Sequence, residues 1–386
     1  QVGSGGITRF SFPGFLNEIT VNPLHTITTT GSLTSTGGIN FNGPDLDTPP
    51  GFGPFDGGQL TLDVPSLSFG SSPNDNIQGP VSFNGGATTG PQGAGSGGIF
   101  TVNAAGLITV DSPIEATTGL QPDAMAPSGT GGTVNLNSAS DTVTINSRVQ
   151  VSSADSPSGA PRRRSADGGD ISVTSGKQTG VAINITSSGQ LLSLLENAPV
   201  NKAGKVTILA TGPSSQINIS GPAPAPTPSI AASKGTVEVR HDGGTGQIAL
   251  TDVWMSADVL KVGALGSDGT LTLSGGTRLD GDSQVLLYAG SSNGTISVLG
   301  TVRVNSLHTF LRATTITVDS AAQLIVNSPS RGTLEIFANT RNWGSSGPFG
   351  PILFNGHSVG TATGMDASGA VVDGVNGSPG HLPPGF

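Results

Sequence analysis

Apolar and polar residues alternate along this chain in short runs, and many of these runs begin at a pair of glycines. The repeated pattern is Gly-Gly-x-φ-x-φ, where φ is an apolar residue. Complete or nearly complete copies begin at Gly37, Gly57, Gly97, Gly131 and Gly168. Alternation with a period of two predicts β-strands that bury one face. A turn followed by a short strand, repeated many times, predicts a chain wound into a β-solenoid.

A second alternating run follows most of these openers, at residues 107–110, 143–145, 181–185 and 217–219. The pattern therefore predicts two principal strands in each coil. The openers recur about every 20 to 40 residues up to residue 220, and single-glycine copies recur about every 20 to 25 residues from 235 to 340. Segments rich in Pro, Gly and Ser are predicted to be loops, at residues 43–57, 70–80, 84–96, 120–131, 153–168 and 221–229.

The expected fold class is all-β, a right-handed parallel β-helix with irregular loops on one face of the coils. Residues 31–342 are expected to form the β-solenoid. Residues 1–30 precede the first opener and are expected to form an N-terminal cap, or a strand segment that pairs with another subunit. Residues 343–386 are rich in Gly and Pro and are expected to be a C-terminal extension. The one helical candidate is the leucine-rich segment 191–197.

Composition narrows the classes of function. Charged residues are only 11% of the chain, the net charge is −9 and the sequence pI is about 4.8. Nucleic-acid binding normally needs a basic face, so no nucleic-acid partner is expected. The only basic run is the three arginines at 162–164, which lie in a Ser/Pro/Gly-rich segment typical of an exposed loop.

Targeting signals are sparse. No run of eighteen apolar residues is present, so no transmembrane segment is expected. The chain has no cysteine, and an extensive coil core can replace disulfides in an exported protein. It begins at Gln1 rather than Met, as removal of a signal peptide would leave it. We therefore expect an extracellular or cell-surface protein.

Candidate chemistry is scarce. The five histidines do not share a metal-ligand spacing, and His241 is expected to be solvated in its Gly-rich turn. No catalytic, cofactor-binding or metal-binding residue is predicted, and the chain is not expected to be an enzyme. Calcium is the weak alternative, because acidic turns offer oxygen ligands at residues 74–76, 242–247 and 280–282.

Two residue types carry structural expectations. Nine of the 14 Phe lie within residues 1–100, where they are expected to close an end of the solenoid or to meet a partner. Asn is frequent at strand ends, as at Asn103, Asn146 and Asn327. Asn tolerates a left-handed backbone, so these positions are predicted to form sharp corners.

The Gly-Gly-x-φ-x-φ openers, the φ-Thr-φ-Asn strands that follow them and the surface of Thr, Ser and Asn resemble filamentous-haemagglutinin-type bacterial exoproteins. The resemblance spans residues 31–340 and is one of repeat style. It implies a large right-handed parallel β-helix exported as a surface adhesin. The Asn-Pro-Asn signature of that family's secretion domain has only a partial counterpart, Asn22-Pro23-Leu24, which departs at the third position.

Three functions are compatible with these patterns. The first is a secreted structural β-solenoid that self-associates head to tail into a surface filament, because a coil stack leaves unpaired backbone groups at both ends. The second is a monomeric adhesin that binds glycans or host surfaces through its loops. The third is a polysaccharide lyase or glycoside hydrolase, which requires acids and bases to gather on one strand face. The residues expected at a subunit junction are Ile7, Phe10, Phe12, Phe15, Ile19, Val21, Ile352, Phe354 and Phe386.

Overall fold

The fold is known from a computed structural model. It describes residues 19–20, 25–28, 33–35, 37–42, 56–86, 94–119, 129–152, 168–194, 203–222, 227–290, 292–329, 332–344, 348–359, 365–367 and 369–373. Every regular element among these residues is a β-strand, and the ladders are overwhelmingly parallel. The predicted all-β parallel solenoid is confirmed.

In the described part of the chain, eighteen strands lie before residue 221. They are β1 (Ile19–Thr20), β2 (His25–Thr28), β3 (Ile39–Asn40), β4 (Gln59–Val64), β5 (Leu67–Gly70), β6 (Ile77–Gln78), β7 (Val81–Ser82), β8 (Ile99–Ala104), β9 (Ile108–Val110), β10 (Ile114–Glu115), β11 (Thr133–Ser138), β12 (Val143–Ile145), β13 (Arg148–Gln150), β14 (Asp170–Ser175), β15 (Thr179–Ile185), β16 (Gln190–Ser193), β17 (Lys205–Ala210) and β18 (Ser214–Ser220).

Fifteen strands follow. They are β19 (Ile230–His241), β20 (Gln247–Thr251), β21 (Trp254–Ala264), β22 (Thr270–Ser274), β23 (Arg278–Ala289), β24 (Thr295–Val298), β25 (Thr301–Ala313), β26 (Thr315–Val318), β27 (Gln323–Asn327), β28 (Thr333–Phe337), β29 (Thr340–Asn342), β30 (Ile352–Phe354), β31 (His357–Ser358), β32 (Met365–Ala367) and β33 (Gly369–Asp373).

The chain divides into two compact units. Unit 1 holds residues 1–174, 188–206 and 231–235, and unit 2 holds residues 175–187, 207–230 and 236–386. Strand pairing extends outside the predicted solenoid span of 31–342. In unit 1, β2 pairs with β4, and in unit 2, β30 pairs with β27 and β33 pairs with β28.

Each coil of unit 1 has three strands rather than the two that the sequence predicts. One parallel ladder joins β4, β8 and β11, a second joins β5, β9 and β12, and a third joins β7, β10, β13 and β16. Two strands of the third ladder, β7 and β10, are only two residues long. A two-residue strand is too short to show alternation, which is why the sequence pattern missed it.

Unit 2 keeps three faces but merges two of them into long strands. One ladder runs through β15, β18, β20, β22, β24, β26 and β29. The other faces are the two halves of β21, β23 and β25, which bend at register shifts after Ala257 and Gly281. Beyond β25 the halves separate, because β27 pairs with its first half and β28 with its second.

Side-chain amides give the length of each coil. In unit 1, the Asn103 amide donates to Asp63 (2.8 Å), which lies 40 residues earlier in the sequence. The Asn137 amide donates to Asn103 (3.0 Å), which lies 34 residues earlier. In unit 2, Asn305 donates to Asp280 from 25 residues further. The longer coils of unit 1 carry their extra residues between the third strand of one coil and the first strand of the next, as between β10 and β11.

The left-handed backbone predicted at Asn103, Asn146 and Asn327 is wrong. None of the three has a positive φ. Instead their side chains bond to the coil before: Asn146 donates to Asp111 (2.6 Å) and Asn327 donates to Asn305 (3.0 Å). An Asn side chain both donates and accepts, so it can be stacked on a like residue in the next coil.

The predicted helix at 191–197 is also wrong where the structure describes it. Residues 190–193 form strand β16, in which Leu191 is fully buried and pairs with Val149 of β13. A position in an aliphatic ladder outweighs the helix propensity of Leu, which is a weak preference.

The glycine openers have a steric cause. The Ile99 N–H donates to the carbonyl of Gly58 (3.0 Å), and the Thr133 N–H donates to the carbonyl of Gly98 (2.9 Å). A Cβ on Gly132 would overlap the carbonyl oxygen of Gly98 and would lie 2.6 Å from the Cβ of Ala116. A Cβ on Gly98 or Gly169 would likewise overlap the glycine carbonyl oxygen of the coil before, so side chains at these openers would force neighbouring coils apart.

Four phenylalanines fill the interior of the first described coils. Phe83 stacks between Phe41 (5.0 Å between ring centroids) and Phe100 (4.9 Å), and Phe69 meets Phe100 edge to face at 5.8 Å. All four are buried. These Phe residues therefore serve the core of unit 1; the other Phe residues before position 56 lie outside the described residues.

Replacement of Phe83 by Ala is expected to lower the free energy of unfolding by about 3–5 kcal/mol, because it leaves a cavity between two rings. Urea denaturation measures the change. The control is Leu107→Ala, which removes an exposed side chain of unit 1 and should cost less than about 0.5 kcal/mol. Equal effects from the two variants would contradict the assigned packing.

Gly132→Ala is expected to destabilise the chain by about 1–3 kcal/mol, as overpacking does in cores. Gly244→Ala is the matched control, since a Cβ there meets only one atom, the Pro213 carbonyl oxygen at 3.9 Å. The urea concentration at the midpoint of unfolding is compared between the two variants. A Gly132→Ala variant as stable as the Gly244→Ala variant would refute the steric account of the openers.

Candidate functional site

The register of unit 2 stacks outward side chains from successive coils. In β25 and in the first halves of β21 and β23, alternate positions are buried, so the intervening positions point outward. The register with the neighbouring strands continues this alternation through residues 285–289 of β23, all of which are buried. The bend in these strands creates two outer faces. The Trp254 face is the row of Trp254, Arg278 and Arg303 with the neighbouring row of Ser256, Asp280 and Asn305. The Tyr288 face comprises Lys261, Leu286, Tyr288, His308, Phe310, Arg312, Glu335 and Phe337.

The Tyr288 face gathers ionisable and aromatic residues, as the enzyme hypothesis requires, but its centre is closed. Leu286 is 1% exposed and Tyr288 is 2% exposed, although both point outward from the sheet. Burial raises the pKa of the Tyr288 hydroxyl, and the positive charge of Arg312 opposes this shift. Burial also raises the pKa of Glu335, opposed by His308. A polymer cannot reach the middle of this face as it stands.

The Trp254 face has two exposed arginines and is ordered by its own contacts. Asp280 is its centre: Oδ2 accepts the indole N–H of Trp254 (2.8 Å) and pairs with Nε of Arg278 (2.7 Å). Oδ1 accepts the amide of Asn305 (2.5 Å). The guanidinium carbon of Arg278 lies 4.5 Å from the centre of the Trp254 ring, which is cation–π geometry. Arg278, Trp254 and Asp280 therefore fix one another.

Arg303 is not held by side-chain contacts of the kind that fix Arg278. It stands opposite Arg278 in the register and is exposed. Its backbone N–H donates to the Thr277 carbonyl (2.9 Å), but within the described part of the chain its guanidinium group has no hydrogen-bond or ion-pair partner. Strand spacing of about 4.8 Å places the two arginine backbones side by side. This row is the strongest candidate for ligand contact among the described residues.

His241 is buried, and its predicted solvent exposure is wrong. Its Nδ1 accepts the Gly243 N–H (3.0 Å), so the ring proton belongs on Nε2, which donates to Ser215 Oγ at 2.9 Å. Ser215 Oγ in turn donates to the carbonyl of Gly212 (3.3 Å). A catalytic pair needs the reverse polarity, with the hydroxyl donating to the imidazole. The Ser215–His241 pair therefore stabilises the turn.

The predicted junction residues fall largely outside the described part of the chain. Ile7, Phe10, Phe12, Phe15, Val21 and Phe386 lie outside it, and Ile19 belongs to β1, which pairs with β3. Ile352 and Phe354 are buried in β30, opposite Leu324 and Val326 of β27. The antiparallel strand β31 covers the other edge of β30 through a turn at Asn355-Gly356. The junction role of these residues stays a prediction.

The acidic turns considered for calcium have protein partners. Asp75 accepts the Ser72 N–H (2.9 Å), Asp242 pairs with Arg240 (2.8 Å), and Asp280 is held as described above. Among the described residues no three His, Asp or Glu side chains converge as a metal site would need. His308 bonds to Thr333 Oγ1 (2.9 Å), and His381 lies outside these residues.

Sequence reasoning missed the Trp254 face because its members are distant in sequence. Trp254 and Asp280 stand 26 residues apart and touch only when one coil closes. One sequence signal could have revealed part of this face. Because one coil is 25 residues long, residues 25 apart, such as Asp280 and Asn305, are expected to be neighbours in the same row.

No helix in the described part of the chain has the length and hydropathy needed to cross a membrane. Comparison with protein-family models, curated proteins and solved structures yields no match for this chain. Function is therefore argued from the geometry of its outer faces.

Acidification is expected to destabilise the fold through His241. Burial lowers its pKa below the ordinary 6.5, so below pH 6.5 the unfolded chain binds a proton at this site more readily than the folded chain does. The stabilising effect is complete above pH 6.5 and is lost as the pH falls from 6.5 toward the lower folded pKa. The free energy of unfolding at pH 7.5 and pH 5.0 should differ less in His241→Gln than in the parent. An unchanged difference would exclude His241 as the source.

Proposed function

We propose that this chain is a non-enzymatic β-solenoid that binds a polysaccharide across successive coils of unit 2, outside the cell or at its surface. One observation carries the proposal: the register aligns Trp254, Arg278 and Arg303 in one outward row, in which both arginines are exposed and Trp254 is half-buried. An indole ring gives a sugar ring an apolar contact surface, which here is the exposed part of the Trp254 ring that Arg278 does not cover. The hydroxyl of Ser256 and the amide of Asn305 add hydrogen-bonding groups beside it.

Three arrangements favour binding over catalysis. Both carboxylate oxygens of Asp280 already accept from donors within the protein, so this side chain holds Trp254, Arg278 and Asn305 in place. The ring of His241 has the wrong polarity to activate Ser215. The ionisable groups of the Tyr288 face surround the buried Leu286 and Tyr288 rather than a cleft.

Self-association is the second candidate, and the edge of β29 favours it. Among the described strands, β29 pairs only with β26 and presents its other edge unpaired. Unpaired strand edges accept strands from other chains. By contrast, β30 and β33 each carry an antiparallel strand, β31 and β32, on the edge away from the coil. A junction between copies would therefore form most readily at β29.

Trp254→Ala is expected to weaken polysaccharide binding at least about tenfold, roughly 1.4 kcal/mol, because it removes the apolar platform and releases Arg278. Affinity electrophoresis against a panel of neutral and acidic polysaccharides measures the loss. Leu299→Ala is the control, since Leu299 is 54% exposed and belongs to neither outer face. Binding that survives Trp254→Ala would show that the binding site does not include Trp254. A parent chain that binds no polymer of the panel would refute the proposal.

Thr340→Lys, on the exposed edge of β29, is expected to reduce self-association, because a charged edge strand resists pairing. Sedimentation velocity over a range of concentrations, with electron microscopy of the same samples, detects the change. Strictly monomeric parent protein at high concentration would exclude this second function.

A further inference from the structure

Arg278 and Arg303 are directly opposite on neighbouring strands, which is an unfavourable arrangement in the absence of a ligand. Like charges at opposing positions destabilise a sheet. Lys and Arg together number only 16 in 386 residues, so two adjacent exposed arginines are uncommon in this chain. Asp280 compensates one positive charge of the pair, and the second remains uncompensated.

The other nearby carboxylates do not neutralise the remaining positive charge of the arginine pair. Asp252 accepts the Gly276 N–H (2.7 Å) at the preceding corner. Asp282 is exposed but stands four residues beyond Arg278, about 13 Å along an extended strand. The pair therefore carries one local excess positive charge within an anionic chain.

The pair is held ready for a planar anion. Arg278 is fixed between the Trp254 ring and Asp280 through Nε, and 47% of its side chain is exposed. Arg303 offers its whole guanidinium group. Guanidinium groups bind carboxylates through two parallel hydrogen bonds, which favours a carboxylate lying across the two strands.

We infer that the Arg278–Arg303 pair is a carboxylate-binding site and that the polysaccharide bound by the Trp254 face bears uronate groups. This inference rests on the proposed function. The sugar ring of one residue lies against Trp254, and the carboxylate of that residue or the next lies against the arginines. Nucleic acid does not fit, because its binding requires many basic groups and this face has two.

The test compares one polymer in two charge states. Polygalacturonate and its fully methyl-esterified form share a backbone and differ in the carboxylate charge. Isothermal titration with matched oligosaccharides should show at least tenfold tighter binding of the acidic form. Arg303→Gln should abolish this preference, and Arg303→Lys should keep part of it, because Lys retains the charge but lacks the planar fork.

Arg148→Gln is the matched control, since it removes one exposed arginine from unit 1, far from the Trp254 row in sequence. It should leave the preference intact. Raising the salt concentration should reduce the preference in the parent, because exposed charges are screened.

The outcomes distinguish failure of the carboxylate site from failure of the proposed function. Equal binding of the two forms, unaffected by Arg303→Gln, would overturn the carboxylate site and leave the proposed function standing. A sulfated glycan that binds as tightly as polygalacturonate, with the same dependence on Arg303, would overturn the selectivity for carboxylate. Absence of binding to acidic, esterified and neutral polymers alike would refute the proposed function itself.

Discussion

Backbone hydrogen bonds hold parallel strands of successive coils about 4.8 Å apart, and that spacing governs the rest of the chain. It leaves no room for a Cβ where the openers meet, so Gly98 and Gly132 carry none. It also places each residue next to its counterpart in the neighbouring coil. Aliphatic residues then form continuous ladders inside, as Leu250 and Leu273 do within unit 2.

The same spacing makes the outer faces consist of repeated side-chain pairs. An Asn can be stacked on an Asn, since the amide of one residue donates to the oxygen of the next, as Asn137 does to Asn103. Two arginines have no such complementarity. Surface rows of Asn therefore support the fold, because each side chain bonds to its neighbour. The row at Arg278 and Arg303 places like charges side by side, and an external anion would satisfy these charges better than the protein does.

The outward residues of unit 2 also illustrate why a cluster of ionisable groups is insufficient evidence for catalysis. Burial of Tyr288 and partial burial of Glu335 raise the pKa values of these groups, which matches a pattern often found in active sites. Structural burial produces the same shifts. The exposure of Arg278 and Arg303, rather than any shifted pKa, distinguishes the Trp254 face as the better candidate for contact with a ligand.

The sequence by itself determined the all-β class, the parallel solenoid and the contraction of the coils after about residue 235, because alternation and glycine spacing are local signals. It did not reveal the third strand of each coil, the strand at Leu191 or the burial of His241. It also could not bring Trp254, Arg278 and Arg303 together. Those features depend on which residues become neighbours when a coil closes, and only the tertiary register of the strands decides that.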